Sequence, residues 1–366
     1  MEPTGKEEQI LHYIRLNPFI SQQELAEKVG ISRSAVAGYI ASLTKRGIIK
    51  GRAYVLSEEA LIVCIGGANL DRKAHSKGKV RLHSSNPVTV TEACGGVARN
   101  VAENLGRLGC HVSLITCIGD DSEGRWVLKE TQASGVDVSR SLMLPAERTG
   151  TYTALLGTDG EMVISLANMD IYDRFVPEML AERWSFIAGA KAVFLDTNLP
   201  PASLSYVIER CRDEGIPLYI DPVSSAKAAK LPERLEGVRA LLPNREEAEI
   251  LARMKIKTLE DCRTACERIR ARGAQSVVVT LGARGVCYAA EDGWEHLPPL
   301  PVEVVDVTGA GDSFAAGFLY GVMQGEPIPL ACRLGLAAAS LTLASEHSVS
   351  PRMQAERLYE QIKERS

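Results

Sequence analysis

The stretch Asp306–Phe314, DVTGAGDSF, holds residues that could cradle a phosphate and move a proton. Gly309 and Gly311 allow the backbone to approach an anion that a Cβ would hold off. With Ala310 they form a turn that opens an apolar helix, predicted from about Asp312 to Met323. The first N–H groups of such a helix sit at the positive end of its dipole and suit phosphate oxygens. Asp312 falls in the first turn, beside any phosphate bound there. A carboxylate is a weak base, with an ordinary pKa of about 3.9. Phosphoryl transfer asks mainly for positioning and late proton acceptance, which a carboxylate can supply. The bland alternative is a tight turn capped by Asp. An alternating run, Val302-Glu303-Val304-Val305, predicts a strand leading into the turn.

Four further groups lie where strands are predicted to end. Asn69 and Asp71 follow Leu61–Ile65 in GGANLD. A carboxylate can accept from two vicinal hydroxyls while an amide donates and accepts, although the pair alone also reads as a strand-end turn. Gly95-Gly96-x-x-x-Asn100 opens a helix, and a need for positive φ would explain the glycines but not Asn100. Asn244-x-x-Glu247 alone reads as a helix cap with a surface acid. Thr280-Leu281-Gly282-x-x-Gly285 ends another apolar strand. No Walker A sequence and no HRD or DFG triplet occurs, which excludes the P-loop and protein-kinase modes of holding ATP.

DVTGAGDSF resembles the second signature of the ribokinase (PfkB-type) carbohydrate and nucleoside kinase family. Cys94–Asn100, running on to Gly109, resembles the first, about 200 residues earlier. The resemblance implies a catalytic base at Asp312 with an anion hole at Gly309, Ala310 and Gly311. It implies a substrate site at Asn69, Asp71, Gly95, Gly96, Asn100 and Asn198, and an ATP site at Asn244, Thr280, Gly282 and Gly285. Magnesium would be held through water by Glu247, and potassium by Asp306 and Thr308 with a loop at Ser345–Ser350. Within the family, Ser85-Asn86-Pro87, Gly160-Glu161-Met162, Asp196-Thr197-Asn198 and Asp221-Pro222-Val223-Ser224 resemble the branch acting on pseudouridine. Val88 and Ala98 depart from that branch, where glycine is usual. Other nucleosides (inosine, uridine, adenosine) or a sugar form the alternative, and a nucleoside-sensing regulator the second. An intact Asp312 favours turnover over sensing. For pseudouridine, Asn86 and Asn168 are candidate acceptors for the extra ring N–H.

These residues need a scaffold. Strands predicted at Leu61–Ile65, Val112–Cys117, Ala192–Leu195, Pro217–Ile220, Ala240–Leu242, Ser276–Thr280 and Val286–Ala289 alternate with amphipathic helices such as Arg99–Leu108, Leu204–Glu214, Arg245–Leu251 and Cys262–Arg272. Alternation of this kind predicts an α/β, mainly parallel sheet flanked by helices. Segments at about 80–93 and 149–170 read as a small β lid, the second a hairpin around Thr158-Asp159-Gly160. The resemblance implies that such lids pair in a homodimer.

Before Ser57-Glu58-Glu59 the composition differs. Residues 1–56 carry eight Lys and Arg against five Glu, a net +3, which leaves −7 for the rest of a chain whose total is −4. A small anion-seeking domain at 1–57 is therefore predicted ahead of a kinase domain at 61–366. Its first helix has Ile10, Leu11, Ile14 and Leu16 on one face and stops at Asn17-Pro18. Ser21 with Glu24 forms a capping box, Gly30 makes a turn, and Ser32 caps a third helix over Arg33–Lys45. Val36, Ile40 and Leu43 are spaced to face inward. The segment Ile48–Leu56, basic at its tip, resembles a wing. The whole resembles a winged helix-turn-helix, a small α+β unit, with duplex DNA as partner. Arg33, Ser34 and Tyr39 would meet base edges, and Lys45, Arg46, Lys50 and Arg52 would meet phosphates. The bland alternative is a helical packing appendage.

Nine cysteines without CxxC pairs, no secretory leader and no apolar run long enough for a membrane span fit a reduced cytoplasm. Cys262 and Cys266 read as packing residues.

Overall fold

The computed structural model describes residues 5–17, 20–49 and 60–363 of the 366. Three helices come first: Gly5–Leu16, Gln22–Val29 and Arg33–Lys45. The second carries the Ser21–Glu24 capping box in both directions and ends at Gly30 in the left-handed region. The third is capped by Ser32, whose hydroxyl accepts from the Ala35 N–H. Ile10, Ile14, Leu25, Val36, Ile40, Leu43 and Ile49 bury a small core among the three. The wing bearing Lys50 and Arg52, and the boundary at Ser57–Glu59, lie outside the described residues.

Among the described residues fifteen strands follow: β1 (Ile62–Ile65), β2 (Asn69–Ser76), β3 (Val88–Gly95), β4 (Val112–Ile115), β5 (Cys117–Gly119), β6 (Val136–Asp137), β7 (Leu142–Leu144), β8 (Thr151–Leu156), β9 (Met162–Asn168), β10 (Ala192–Asp196), β11 (Leu218–Asp221), β12 (Val238–Leu241), β13 (Ser276–Thr280), β14 (Val286–Ala290) and β15 (Gly293–Leu297). Nine form one sheet in the order β15-β14-β13-β12-β11-β10-β1-β4-β6. The pairs from β13 through β6 are parallel, and β14 and β15 are added antiparallel at one edge. In β1 and β10 every residue is buried, as expected of central strands covered on both faces.

A hydrophobic core lies on each side of this sheet. One is closed by the helix Ala310–Met323 packed against the helix Ile328–Leu343. Gly317 permits that closeness, since a Cβ there would lie 2.7 Å from the Leu334 carbonyl oxygen. The other core takes Cys262 and Cys266, both fully buried.

A second sheet, β3-β2-β8-β9, stands apart as a lid. The 149–170 segment supplies the antiparallel β8–β9 hairpin. Two expectations change. Asn69–Asp71 is not a strand-end turn but the start of β2, a lid strand paired with β3 and β8. Val302–Val305 is not a strand either. Val304 and Val305 are more than half exposed, and the Val305 N–H donates to the Leu343 carbonyl at a helix end. The alternation there serves a cleft wall rather than a sheet.

Candidate active site

The parallel strands point their carboxyl ends the same way, and the chain places its polar residues just beyond them, where open α/β sheets bind ligands. β1 leads to Gly67–Asn69, β10 to Asp196–Asn198, β11 to Asp221–Val223, β12 to Asn244, and β13 to Thr280.

Gly309 caps the helix Ala310–Met323 with φ 78°, and a Cβ there would collide with the Ser348 carbonyl oxygen. Only glycine fits this turn, which presents the first-turn N–H groups outward. At Gly311 a Cβ would meet no protein atom within 4 Å, so its absence keeps space open for a ligand. Asp312 is reached by Asn100, whose Nδ2 donates to Oδ2 at 2.7 Å. Burial raises the Asp312 carboxyl, the Asn100 hydrogen bond opposes this, and the carboxylates of Asp196 and Asp71 raise it further, to about 6.

Opposite it, β2 presents Asn69 and Asp71 on one strand face. Asn69 Nδ2 donates to Asp71 Oδ1 at 2.5 Å. Burial pushes Asp71 up to about 6 against the pull of that bond. Gly95 borders this carboxylate so closely that a Cβ would collide with its Oδ2. Gly96, with φ 100°, packs on the Gly67 carbonyl and starts the helix Val97–Arg107 that carries Asn100. Asn198 is buried, and its Oδ1 accepts from Lys227 Nζ at 2.5 Å.

Asn244 and Glu247 form a reciprocal capping box: Asn244 Oδ1 accepts from the Glu247 N–H at 3.0 Å and Glu247 Oε2 accepts from the Asn244 N–H at 2.9 Å, while Asn244 Nδ2 also donates to Oε1 at 2.6 Å. Glu247 is nonetheless buried, and burial pushes its carboxyl up to about 7. It shares a cavity of about 110 Å³ with Asp312, Asp221, Asn244 and Thr280. A neighbouring cavity of about 550 Å³ is mostly apolar, with Gly282, Gly285, Val304, Val307 and Leu343 among its walls. Thr280, Gly311 and Phe314 line both. An apolar cavity adjoining a polar one suits a nucleotide whose base enters the first and whose phosphates reach Gly311.

Several contributors have no role that the sequence assigns, Asp196 and Asp221 standing there only as part of the resemblance. Asp196 is fully buried and its carboxylate accepts from the N–H groups of Gly67, Ala98 and Asn198, which ties three strand-end segments together. Tyr172 holds Ala68 by accepting from its N–H at 2.8 Å and donating to its carbonyl at 2.6 Å. Asp221, in the polar cavity, is held well above the usual carboxylate range, chiefly by burial and then by the charge of Glu247. Val223 beside it has φ 63°, a strained conformation for a β-branched residue and one that clusters at functional sites. Their position after an apolar strand was the available signal.

Asp306 and Thr308 sit beside the turn. Asp306 Oδ1 accepts from the Thr308 N–H and Oγ1 at 2.8 and 2.7 Å, and Oδ2 accepts from Lys73 Nζ on the lid at 2.7 Å. Both acceptor candidates differ from expectation: the Asn86 side chain is bonded to Arg81 N–H, Arg81 O and Ser84 O within its own loop, and Asn168, exposed at the end of β9 and paired with Thr151, lies on the lid face opposite Asn69 and Asp71.

In the N-terminal unit Arg33, Ser34 and Lys45 are exposed on the third helix. Tyr39 is half-buried against the small core, and Arg46 reaches Glu7 at 2.9 Å instead of facing outward.

A family model for pfkB family carbohydrate kinases matches residues 59–355. The chain belongs to that family. A winged helix-turn-helix DNA-binding model matches residues 5–50. Among pfkB relatives, the Escherichia coli (strain K12) sugar kinase YeiI is 34% identical, with 96% of this chain and 97% of YeiI covered. That likeness therefore runs through the helix-turn-helix unit as well as the kinase. The pseudouridine kinase of the same strain is 33% identical over 81% of this chain and 94% of its own length. A carbohydrate kinase structure from Agrobacterium tumefaciens superposes with a TM-score of 0.73 at 33% identity, covering 83% of this chain and 97% of that one. This pfkB chain is a phosphotransferase with an alcohol group as acceptor, a sugar or nucleoside kinase that carries a winged helix-turn-helix unit. A ribokinase from Arabidopsis thaliana, solved in complex with ribose and ATP, shares the fold with a TM-score of 0.74 at 22% identity. Among the described residues no helix is long and apolar enough to cross a membrane.

Proposed function

We propose that the chain transfers the γ-phosphoryl group of ATP to the 5′-hydroxyl of a nucleoside, pseudouridine first. The observation that carries the reading is Asp312, held by Asn100 at the head of the phosphate-binding helix and facing the Asn69–Asp71 pair. Vicinal ribose hydroxyls on Asp71 and Asn69 leave a primary hydroxyl free to reach Asp312. As its oxygen bonds to the γ-phosphorus and the bond to the β,γ-bridging oxygen breaks, the hydroxyl proton passes to Asp312 and ADP leaves. Developing charge falls on the N–H groups after Gly309. Relatedness to a pseudouridine kinase supports the choice of base. An acceptor left unpaired by uridine would cost about 1–3 kcal/mol.

Asp221 and Glu247 fit magnesium held through water and nucleotide phosphates. Among the described residues no three His, Cys, Asp or Glu side chains are grouped to hold a metal, so an all-protein cage is not the mode. When bound, the ion would neutralise phosphate charge there. Val90, Ile164 and Leu166 expose an aliphatic face on the lid, which a second copy would cover in a homodimer. Arg33, Ser34 and Lys45 would meet duplex DNA, and the chain would work in the cytoplasm.

A nucleoside and sugar panel with ATP and magnesium, read as ADP release, tests the reading. Pseudouridine should give the highest kcat/KM. Preference for inosine or adenosine by about tenfold would replace pseudouridine, and no turnover with any alcohol would remove the kinase reading.

A further inference from the structure

The potassium site implied by the resemblance does not fit Asp306 as this chain builds it. Both carboxylate oxygens are engaged: Oδ1 by the N–H and Oγ1 of Thr308, and Oδ2 by Lys73 Nζ at 2.7 Å. Lys73 comes from 233 residues away in sequence, on the lid. Alternation along β2 sets Asn69, Asp71 and Lys73 on one face, so the strand that offers the acceptor's ligands also delivers this ammonium.

We infer that the Lys73 ammonium is a built-in monovalent cation, taking the place at Asp306 that potassium would hold and fastening the lid to the segment leading into the Gly309–Asp312 turn. Lys73 is thus a positioning residue: it touches Asp306, and Asp306 through Thr308 sets the start of the turn. The inference rests on the kinase reading, and it makes the reaction independent of potassium. A compact, strongly charged ammonium is well suited to stand for a small cation.

The test uses the full chain with ATP, magnesium and its best acceptor, in choline chloride or potassium chloride at equal ionic strength. Wild-type rates should agree within about twofold between the two salts. Lys73→Ala should lose at least about tenfold in choline and regain most of it in potassium, while Lys73→Arg stays indifferent to the salt. Potassium stimulation of the wild type by about tenfold would overturn the inference. So would a Lys73→Ala loss that potassium fails to restore, or no loss at all. Melting curves with a non-hydrolysable ATP analogue give an independent reading: potassium should raise the melting temperature of Lys73→Ala and leave the wild type unmoved. If no acceptor turns over, the kinase reading fails while the melting curves still decide the cation.

Discussion

At the scale of single residues the site is a set of buried acids facing one another. Asp71 and Asp312 are pushed up to about 6 and Glu247 to about 7, with burial the leading cause in each. Asp312 must be unprotonated to take a proton, so kcat/KM should fall as the pH drops through about 6. Asp312→Asn should bind ATP normally and lower turnover by about 10²–10⁴-fold, read in steady-state and nucleotide-binding measurements. The same acids act on stability with the opposite sense. A carboxyl whose folded pKa is raised stabilises the fold below its unfolded value and loses that contribution as the pH rises through the folded one. The window here runs from about 4 to about 7, so the unliganded chain should melt lower at pH 8 than at pH 5. Asp221→Asn removes one charge from the cluster and keeps an oxygen for the Val223 N–H, which now donates to Asp221 Oδ1 at 2.7 Å. It should stabilise the unliganded chain at pH 8 while reducing turnover. Calorimetry and rate measurements on one preparation check both.

At the scale of elements, what was legible in the sequence is what lies within a few residues of itself. The capping boxes at Ser21 and Asn244, the turn at Gly309 and the β8–β9 hairpin are each set by neighbours in the chain. Asp196 and Asp221 were visible only within a resemblance and without a role, and Lys73 not at all, because their partners lie far off in sequence and are brought close only by the fold. Val302–Val305 misled because period-two apolarity reports any half-buried extended segment, including a cleft wall. The lid was half visible: its hairpin alternates cleanly, but β2 begins with polar site residues that read as a turn. On the outer lid face the register sets Val90, Ala74, Leu155 and Ile164 in one row. Burying each aliphatic side chain in a dimer is worth about 1.5–3 kcal/mol. Ile164→Glu should therefore weaken self-association by about 10–100-fold in analytical ultracentrifugation.

At the scale of the whole molecule, a basic unit of +3 precedes an acidic remainder of −7. Duplex binding by the full chain should weaken steeply with added salt. Arg33→Ala with Lys45→Ala should reduce the slope of log affinity against log salt by about 1 for each phosphate no longer neutralised. Fluorescence anisotropy at several salt concentrations is the measurement. Arg46, engaged with Glu7, should matter less there than for the melting temperature. The bond from Asn100 to Asp312 also bears on how the molecule idles. Until an alcohol displaces it, the amide occupies one oxygen of the base, Oδ2, so a stray water beside the nucleotide has only the remaining acceptor sites of Asp312 to take its proton. On the proposed function Asn100 would then act as a brake on wasteful ATP breakdown as well as a substrate ligand. Asn100→Ala should raise ADP release without acceptor while lowering transfer to one, uncoupling fuel use from work.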